Sequence, residues 1–241
     1  MGMESARFAG SMGMTECTMC RLAPPEFERA VAFAIYDEEV REMLHLLKFQ
    51  GMRRIADAVL GDGMASAVLQ LEGLAADELM VVPVPLFAAR ERSRGFNQAR
   101  VLAEVAIARL HRLKPGWKLD LRSDVLSRVR DTNALFAMDP SARRKSLRGA
   151  FRVVNAEAVR GREVLLVDDI MTTGATAREC SRVLMRAGAA KVWVVTMARA
   201  QGAARTADEI TLGVPRGVAM WDTNSQHSLR PDAGKRRTFL Q

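Results

Sequence analysis

Apolar residues along this chain follow two rhythms, and the changes between them predict helices and strands in turn. Glu38 to Phe49 sets Val40, Met43, Leu44 and Leu47 at i, i+3, i+4 and i+7, the spacing of one buried helix face, with Gly51 as its stop. A second helical stretch runs from about Ile55 to Leu71. Leu79 to Val82 is apolar throughout, as a strand covered on both faces must be, and Pro83 and Pro85 end it. Arg94-Gly95-Phe96-Asn97 opens a helix with Asn97 as N-cap; its expected inner face is Val101, Leu102, Val105 and Ala108. After a turn at Pro115-Gly116 comes a weaker strand at Asp124 to Leu126, then a loop and a short helix between Thr132 and Leu147, starting near Pro140. Phe151 to Val154 and Glu163 to Val167 read as strands, Thr176 to Ala187 as a helix ended by Gly188, and Val192 to Met197 as the next strand. Strand, helix, strand at that spacing makes a parallel βαβ unit, so an α/β fold is expected.

The rhythm is absent at both ends. Met1 to Thr15 is rich in Gly, Met and Ser, and Gly202 to Gln241 in Gly, Pro, Arg and polar residues. The expected division is an N-terminal segment at 1–25, a folded domain at 26–201 and a mobile basic tail at 202–241.

At 241 residues with 49% hydrophobic and 27% charged, the chain can bury a core that needs no disulfide or metal staple. No stretch approaches the ~20 apolar residues that span a bilayer, and the start carries no basic-then-apolar leader. With three cysteines, reduced thiols in a cytoplasmic protein without membrane insertion are expected. The net charge of +8 is unevenly spread. Leu86 to Arg152 holds 16 Lys and Arg against 6 Asp and Glu, while the rest holds 20 against 22. Such a concentrated excess faces an anion, either a phosphorylated small molecule or a nucleic acid.

One segment carries recognisable chemistry: Val164-Leu-Leu-Val167-Asp168-Asp169-Ile170-Met171-Thr172-Thr173-Gly174-Ala175-Thr176. An apolar strand delivers two carboxylates to its C-terminal end, where open α/β sheets bind ligands. A small, hydroxyl-bearing loop then enters a helix, so Thr173, Gly174, Ala175 and Thr176 can turn N–H groups and hydroxyls toward a phosphate, with the helix dipole behind them. Carboxylates bind phosphate poorly, so Asp168 and Asp169 belong with the neutral hydroxyls of the same ligand. The pattern describes a cradle for ribose 5-phosphate. It lacks the Gly-Lys-Ser/Thr ending of a nucleotide P-loop and any Gly-x-Gly-x-x-Gly fingerprint.

That segment resembles the motif by which type I phosphoribosyltransferases bind phosphoribosyl pyrophosphate (PRPP). A second block, Val82-Pro83-Val84-Pro85-Leu86, Arg90 and Arg94-Gly95-Phe96-Asn97-Gln98, is similar to the competence protein F (ComF) family. Lys48-Phe49-Gln50-Gly51, Arg128 to Thr132, Arg143 and Gly149-Ala150-Phe151 extend the likeness across Cys17 to Arg199. The resemblance implies a parallel sheet flanked by helices and an amidophosphoribosyltransferase-like site. Asp168 and Asp169 would hold the ribose and Thr172 to Thr176 the 5′-phosphate; Pro85, Arg90 and Arg94 would line the pyrophosphate loop, as guanidinium groups suit phosphate oxygens. It also implies Mg²⁺ bound with PRPP, transfer to a nitrogen nucleophile, and a link to DNA uptake through single-stranded DNA or competence proteins; an oligomer is compatible with it. The alternative is a non-catalytic accessory protein that handles single-stranded DNA and keeps the fold as sensor or scaffold. Only 5% of residues are aromatic, which gives bases little to stack on.

The chain departs from the family in two places. Members carry an N-terminal zinc ribbon with several Cys pairs, whereas only Cys17 and Cys20 stand here, and two thiolates do not close a tetrahedral site. Cys180 falls on the apolar stripe of its helix and His45 beside another, so zinc is not expected. The family also shows Gln and Asn where this chain has Leu135 and Ser146.

Overall fold

Val164 to Val167 and Val192 to Val195 contain no polar residue, and such runs are stable as strands only where both faces are covered. The computed structural model, which describes residues 7–8, 20, 22–46, 60–132 and 145–200, sets the two runs side by side in a parallel sheet. In chain order the strands are β1 (Arg7–Phe8), β2 (Arg29–Ile35), β3 (Glu78–Pro83), β4 (Lys118–Leu121), β5 (Leu126–Arg128), β6 (Phe151–Val153), β7 (Glu163–Met171) and β8 (Lys191–Arg199). The helices are α1 (Glu38–Leu46), α2 (Gly61–Leu69), α3 (Ala88–Arg94), α4 (Gln98–Leu113), α5 (Ala156–Val159) and α6 (Ala175–Arg186). Six strands form one sheet in the order β1-β2-β8-β7-β3-β4, every pairing parallel. β5 and β6 form a separate antiparallel ribbon.

Side chains alternate across the sheet and fill two cores. On one face Leu79, Val81, Leu165, Val167 and Val195 meet Leu44 of α1, Met64 and Val68 of α2, and Leu102 and Leu110 of α4. On the other, Met80, Val82, Val164, Leu166 and Val194 meet Cys180 and Leu184 of α6 and Leu126 and Phe151 of the ribbon. Each fully buried Leu or Val contributes about 1.5–3 kcal/mol. At Gly63 of α2 an added Cβ would lie 2.9 Å from Met197 Cε and from Phe33 Cδ1, so this helix sits close on the sheet because the residue has no side chain.

Several expectations need correction. β2 was not foreseen, and neither was β4, whose place had been given to Asp124 to Leu126; the strand there is β5, three residues long and outside the main sheet. β6 likewise belongs to the ribbon. The inner face of α4 is Val101, Leu102, Ala103, Ala106 and Leu110, while Ala108 is exposed, so the helix is turned from the expected face. β7 does not stop at Val167 but pairs with β8 as far as Met171. α1 is described only to Leu46; Leu47 to Gly51, the first residues of the second stretch from Ile55 to Val59, residues 133–144 (with Leu135, Pro140 and Arg143) and everything from Gln201 lie outside the described residues, while the rest of that second stretch holds α2 as expected. The helix from Thr176 to Ala187 is present as α6, one residue earlier.

Candidate anion and ribose site

β7 carries the two acids near its C-terminal end, where it still pairs with β8. Val164 and Leu166 belong to one core and Leu165 and Val167 to the other, but past the acids Ile170 packs with the second set and Met171 with the first. The alternation therefore shifts by one residue across Asp168 and Asp169. The carboxylates stabilise that shift: Asp169 N–H donates to Asp168 Oδ1 at 2.9 Å and Ile170 N–H to Asp169 Oδ1 at 2.8 Å. Both acids are half-buried. Desolvation pushes the Asp168 carboxyl well above the ordinary carboxylate range, the adjacent Asp169 adds to this, and Arg128 pulls the other way. Two acids forced together in this manner make the strand end a candidate site for a ligand or cation that would relieve their repulsion.

Thr172, Thr173 and Gly174 form the turn into α6. Gly174 has φ +70°, a conformation that a side chain resists, and it leaves the first amides of α6 unbonded within the helix. Thr172 is exposed, Thr173 and Thr176 half-buried, and Ala175 buried against the core. This is the turn-to-helix geometry that holds a phosphate.

The loop leaving β3 faces them. Val84 is buried, Pro85 half-buried, and Asn97 ties the loop's two ends: its Oδ1 accepts from Ala99 N–H at 2.9 Å while its Nδ2 donates to Val84 O at 3.0 Å. Between these ends lies α3, which has no buried residue. Arg90 and Arg94 are half-buried and Arg92 exposed. Arg90 reaches Asp131 at 3.7 Å.

One further residue stands at the candidate site, named from the sequence only within the likeness over Arg128 to Thr132 and given no role there. Arg128, on β5, lies with its guanidinium 5.5 Å from the Phe151 ring centre and donates from Nη2 to Thr132 Oγ1. Its Nε is buried without a hydrogen-bond partner. Burial and then the neighbouring Arg90 lower its proton affinity, while Cys180, Asp131 and Asp168 raise it. Arg128 thus joins the acid pair to the arginines of the β3 loop. The signal available beforehand was a basic residue sharing the inward phase of buried Leu126.

Cys17 lies outside the described residues. Cys20 is buried and meets Arg178 Nη2 at 3.4 Å. Among the described residues no three Cys, His, Asp or Glu side chains gather as a metal-ligand set, and no helix is long and apolar enough to cross a membrane.

A model of the phosphoribosyl transferase domain matches residues 63–212. DNA utilization protein YhgH of Escherichia coli (strain K12) is 33% identical over 190 residues, which cover 76% of this chain and 77% of that one. Competence protein F of Haemophilus influenzae is 29% identical over 192 residues, covering 76% and 78%. Competence protein ComFC of Bacillus subtilis is 31% identical over 166 residues, covering 68% and 61%. Among solved structures, the glutamine PRPP amidotransferase of B. subtilis complexed with ADP and GMP shares 23% identity at a TM-score of 0.34, over 58% of this chain and 26% of that one.

Proposed function

Because the chain belongs to the phosphoribosyl transferase domain family, in its competence protein F group, we propose that the site binds PRPP and supports transfer of its phosphoribosyl group to a nitrogen nucleophile. The observation that carries this reading is the continuous run from Asp168 to Thr176: two carboxylates at a strand end, then a glycine turn into a helix N-terminus. The turn and first amides of α6 would hold the 5′-phosphate, and Asp168 and Asp169 would accept bonds from the ribose hydroxyls. Arg90, Arg94 and Arg128 would hold the pyrophosphate and steady the charge it gains on leaving.

The donor set suits Mg²⁺. It offers oxygens only, and two carboxylates with no third protein ligand among the described residues fit a cation that keeps waters and ligand oxygens around it. Asp168 and Asp169 are the residues that would meet such a cation, whose charge would offset that of the pyrophosphate. The reaction itself then asks the protein for positioning and electrostatics more than for a nucleophile.

Calorimetry with PRPP, with and without Mg²⁺, tests the reading. Asp168→Ala with Asp169→Ala is expected to abolish binding and leave the fold intact, since the pair repels itself in the free protein. Equal affinity in wild type and double variant would sink it.

The basic excess between Leu86 and Arg152, together with relatives named for DNA utilization and competence, favours single-stranded DNA as a second ligand of the same chain. That binding should weaken steeply with salt, because phosphate contacts release counterions. Its absence at low salt would remove this second reading.

A further inference from the structure

Glu179 sits on α6 one turn beyond the glycine turn, yet its carboxylate serves neither that turn nor the helix alone. Its side chain is 8% exposed, rare for an unligated acid. Oε1 accepts from the backbone N–H of Gly149 at 2.6 Å, a bond that spans 30 positions of sequence, and Arg182 closes a bidentate pair at 2.6 and 2.8 Å. Those bonds hold the carboxyl below its ordinary range despite the opposing effect of burial. A helix surface position could keep Arg182 paired without burying the acid. What burial accomplishes is the reach to Gly149.

From Gly149 the path to the site is short. Ala150, wholly buried, accepts Val129 N–H at 2.8 Å and so joins β6 to β5. Phe151 pairs in register with Arg128 and carries the guanidinium over its ring. Arg128 is the residue with the unpartnered buried Nε, in electrostatic range of Asp168 and Arg90. Nothing else bonds the ribbon to α6 so directly among the side-chain hydrogen bonds of the described residues.

We propose that Glu179 is a positioning residue: its bond to Gly149 sets the ribbon so that Arg128 stands at a fixed place beside the acid pair and the phosphate turn. The proposal rests on the reading of the site as a PRPP site. The glycine turn and Arg128, two walls of the site from distant parts of the sequence, are thereby registered through one carboxylate on the helix that the turn begins.

A double-variant cycle read by PRPP calorimetry in the presence of Mg²⁺ tests this. Glu179→Ala should weaken PRPP by about tenfold, on the scale of a lost charge-assisted contact. In an Arg128→Ala background the same change should cost less than about twofold, because the residue through which it acts is gone. Glu179→Gln, which keeps an acceptor for Gly149, should retain most of the affinity. Hydrogen exchange should show faster exchange at Val129, Gly149 and Phe151 in Glu179→Ala, with β7 and β8 as protected as in wild type. If Glu179→Ala does not fold, Glu179→Asp, a carboxylate set back by one methylene, replaces it in the cycle. Losses that multiply in the double variant would overturn the proposal while leaving the PRPP site standing, as would unchanged affinity in Glu179→Ala. Wild-type protein that binds no PRPP would overturn the reading of the site and this proposal with it.

Discussion

Asp168 illustrates what the site asks of a single side chain. Desolvation, followed by the carboxylate next to it, raises its proton affinity in the folded chain. Between the ordinary carboxyl range and that raised value the folded state holds the proton more firmly than the unfolded state does. Stability of the ligand-free protein therefore falls as pH rises through this window. Asp168→Asn keeps the oxygen that accepts Asp169 N–H and removes the charge, so at neutral pH it should melt higher by about 2–4 °C if ~1 kcal/mol is relieved. The gain should shrink on acidification; a gap in Tm independent of pH would contradict it. Thr172 sets a limit of another kind. In purine-salvage relatives of the fold an additional acid at this position serves the purine ring, and a hydroxyl has no proton affinity to offer near neutral pH. Hypoxanthine and guanine should yield no IMP or GMP with PRPP and Mg²⁺, and formation of either would show a base supplied from outside the loop. The acids and the phosphate turn were legible because they are contiguous in sequence. Arg128 was legible only as part of the likeness over Arg128 to Thr132; its place at the site was not, because that depends on a ribbon and a register that only the folded chain supplies.

At the level of elements, α3 is the exception in this fold. A helix without a buried residue owes its place to its ends, the exit from β3 and the Asn97 anchor, and not to packing. Its arginines project from an unpacked helix, and the pair that holds Arg90, with exposed Asp131, is a long 3.7 Å. Replacing Arg90 and Arg94 with Ala should weaken PRPP at least tenfold, from ~1.5–3 kcal/mol per charge-assisted bond, and ribose 5-phosphate much less. Equal losses for both ligands, measured by calorimetry, would place these arginines elsewhere. The same contrast explains which elements the sequence showed. β3, β7 and β8 read clearly because each holds an unbroken apolar run of at least four residues, as buried parallel strands do. β2, Arg-Ala-Val-Ala-Phe-Ala-Ile, has that character too, but its alanines suit a helix as well. β4, Lys-Leu-Asp-Leu, is an edge strand whose polar residues face outward, which a search for buried runs passes over. The face of α4 was misjudged because alanine is small enough to read as inside or outside.

Across the whole molecule, the two ends of β7 are held differently. Asp168 and Asp169 stand near its finish, whereas Glu163 ties the sheet together where the strand starts. It accepts Ala76 N–H at 3.0 Å and Trp193 Nε1–H at 2.8 Å, and meets Lys191 Nζ at 3.4 Å. Burial alone would raise its carboxyl; the bonds from Ala76 and Trp193 and the nearby lysine outweigh it and hold the carboxyl below its ordinary range. A depressed folded value gives stability that is present above the unfolded value and is lost as pH falls through the folded one. Urea unfolding should therefore show wild type losing its advantage over Glu163→Gln as pH drops from 7 toward 3. An advantage that persists undiminished would mean that the carboxylate's charge is not what matters. The strand order has a consequence for synthesis. β2 finds its principal partner only in β8, the last strand of the described chain, so β2 leaves the ribosome long before the edge away from β1 can be covered. At about 5–20 residues per second that exposure lasts on the order of ten seconds. During this interval an apolar strand with its long edge open is a target for chaperones and for other nascent copies of itself, and a message cut short before Lys191 would yield a chain with no means of closing its sheet.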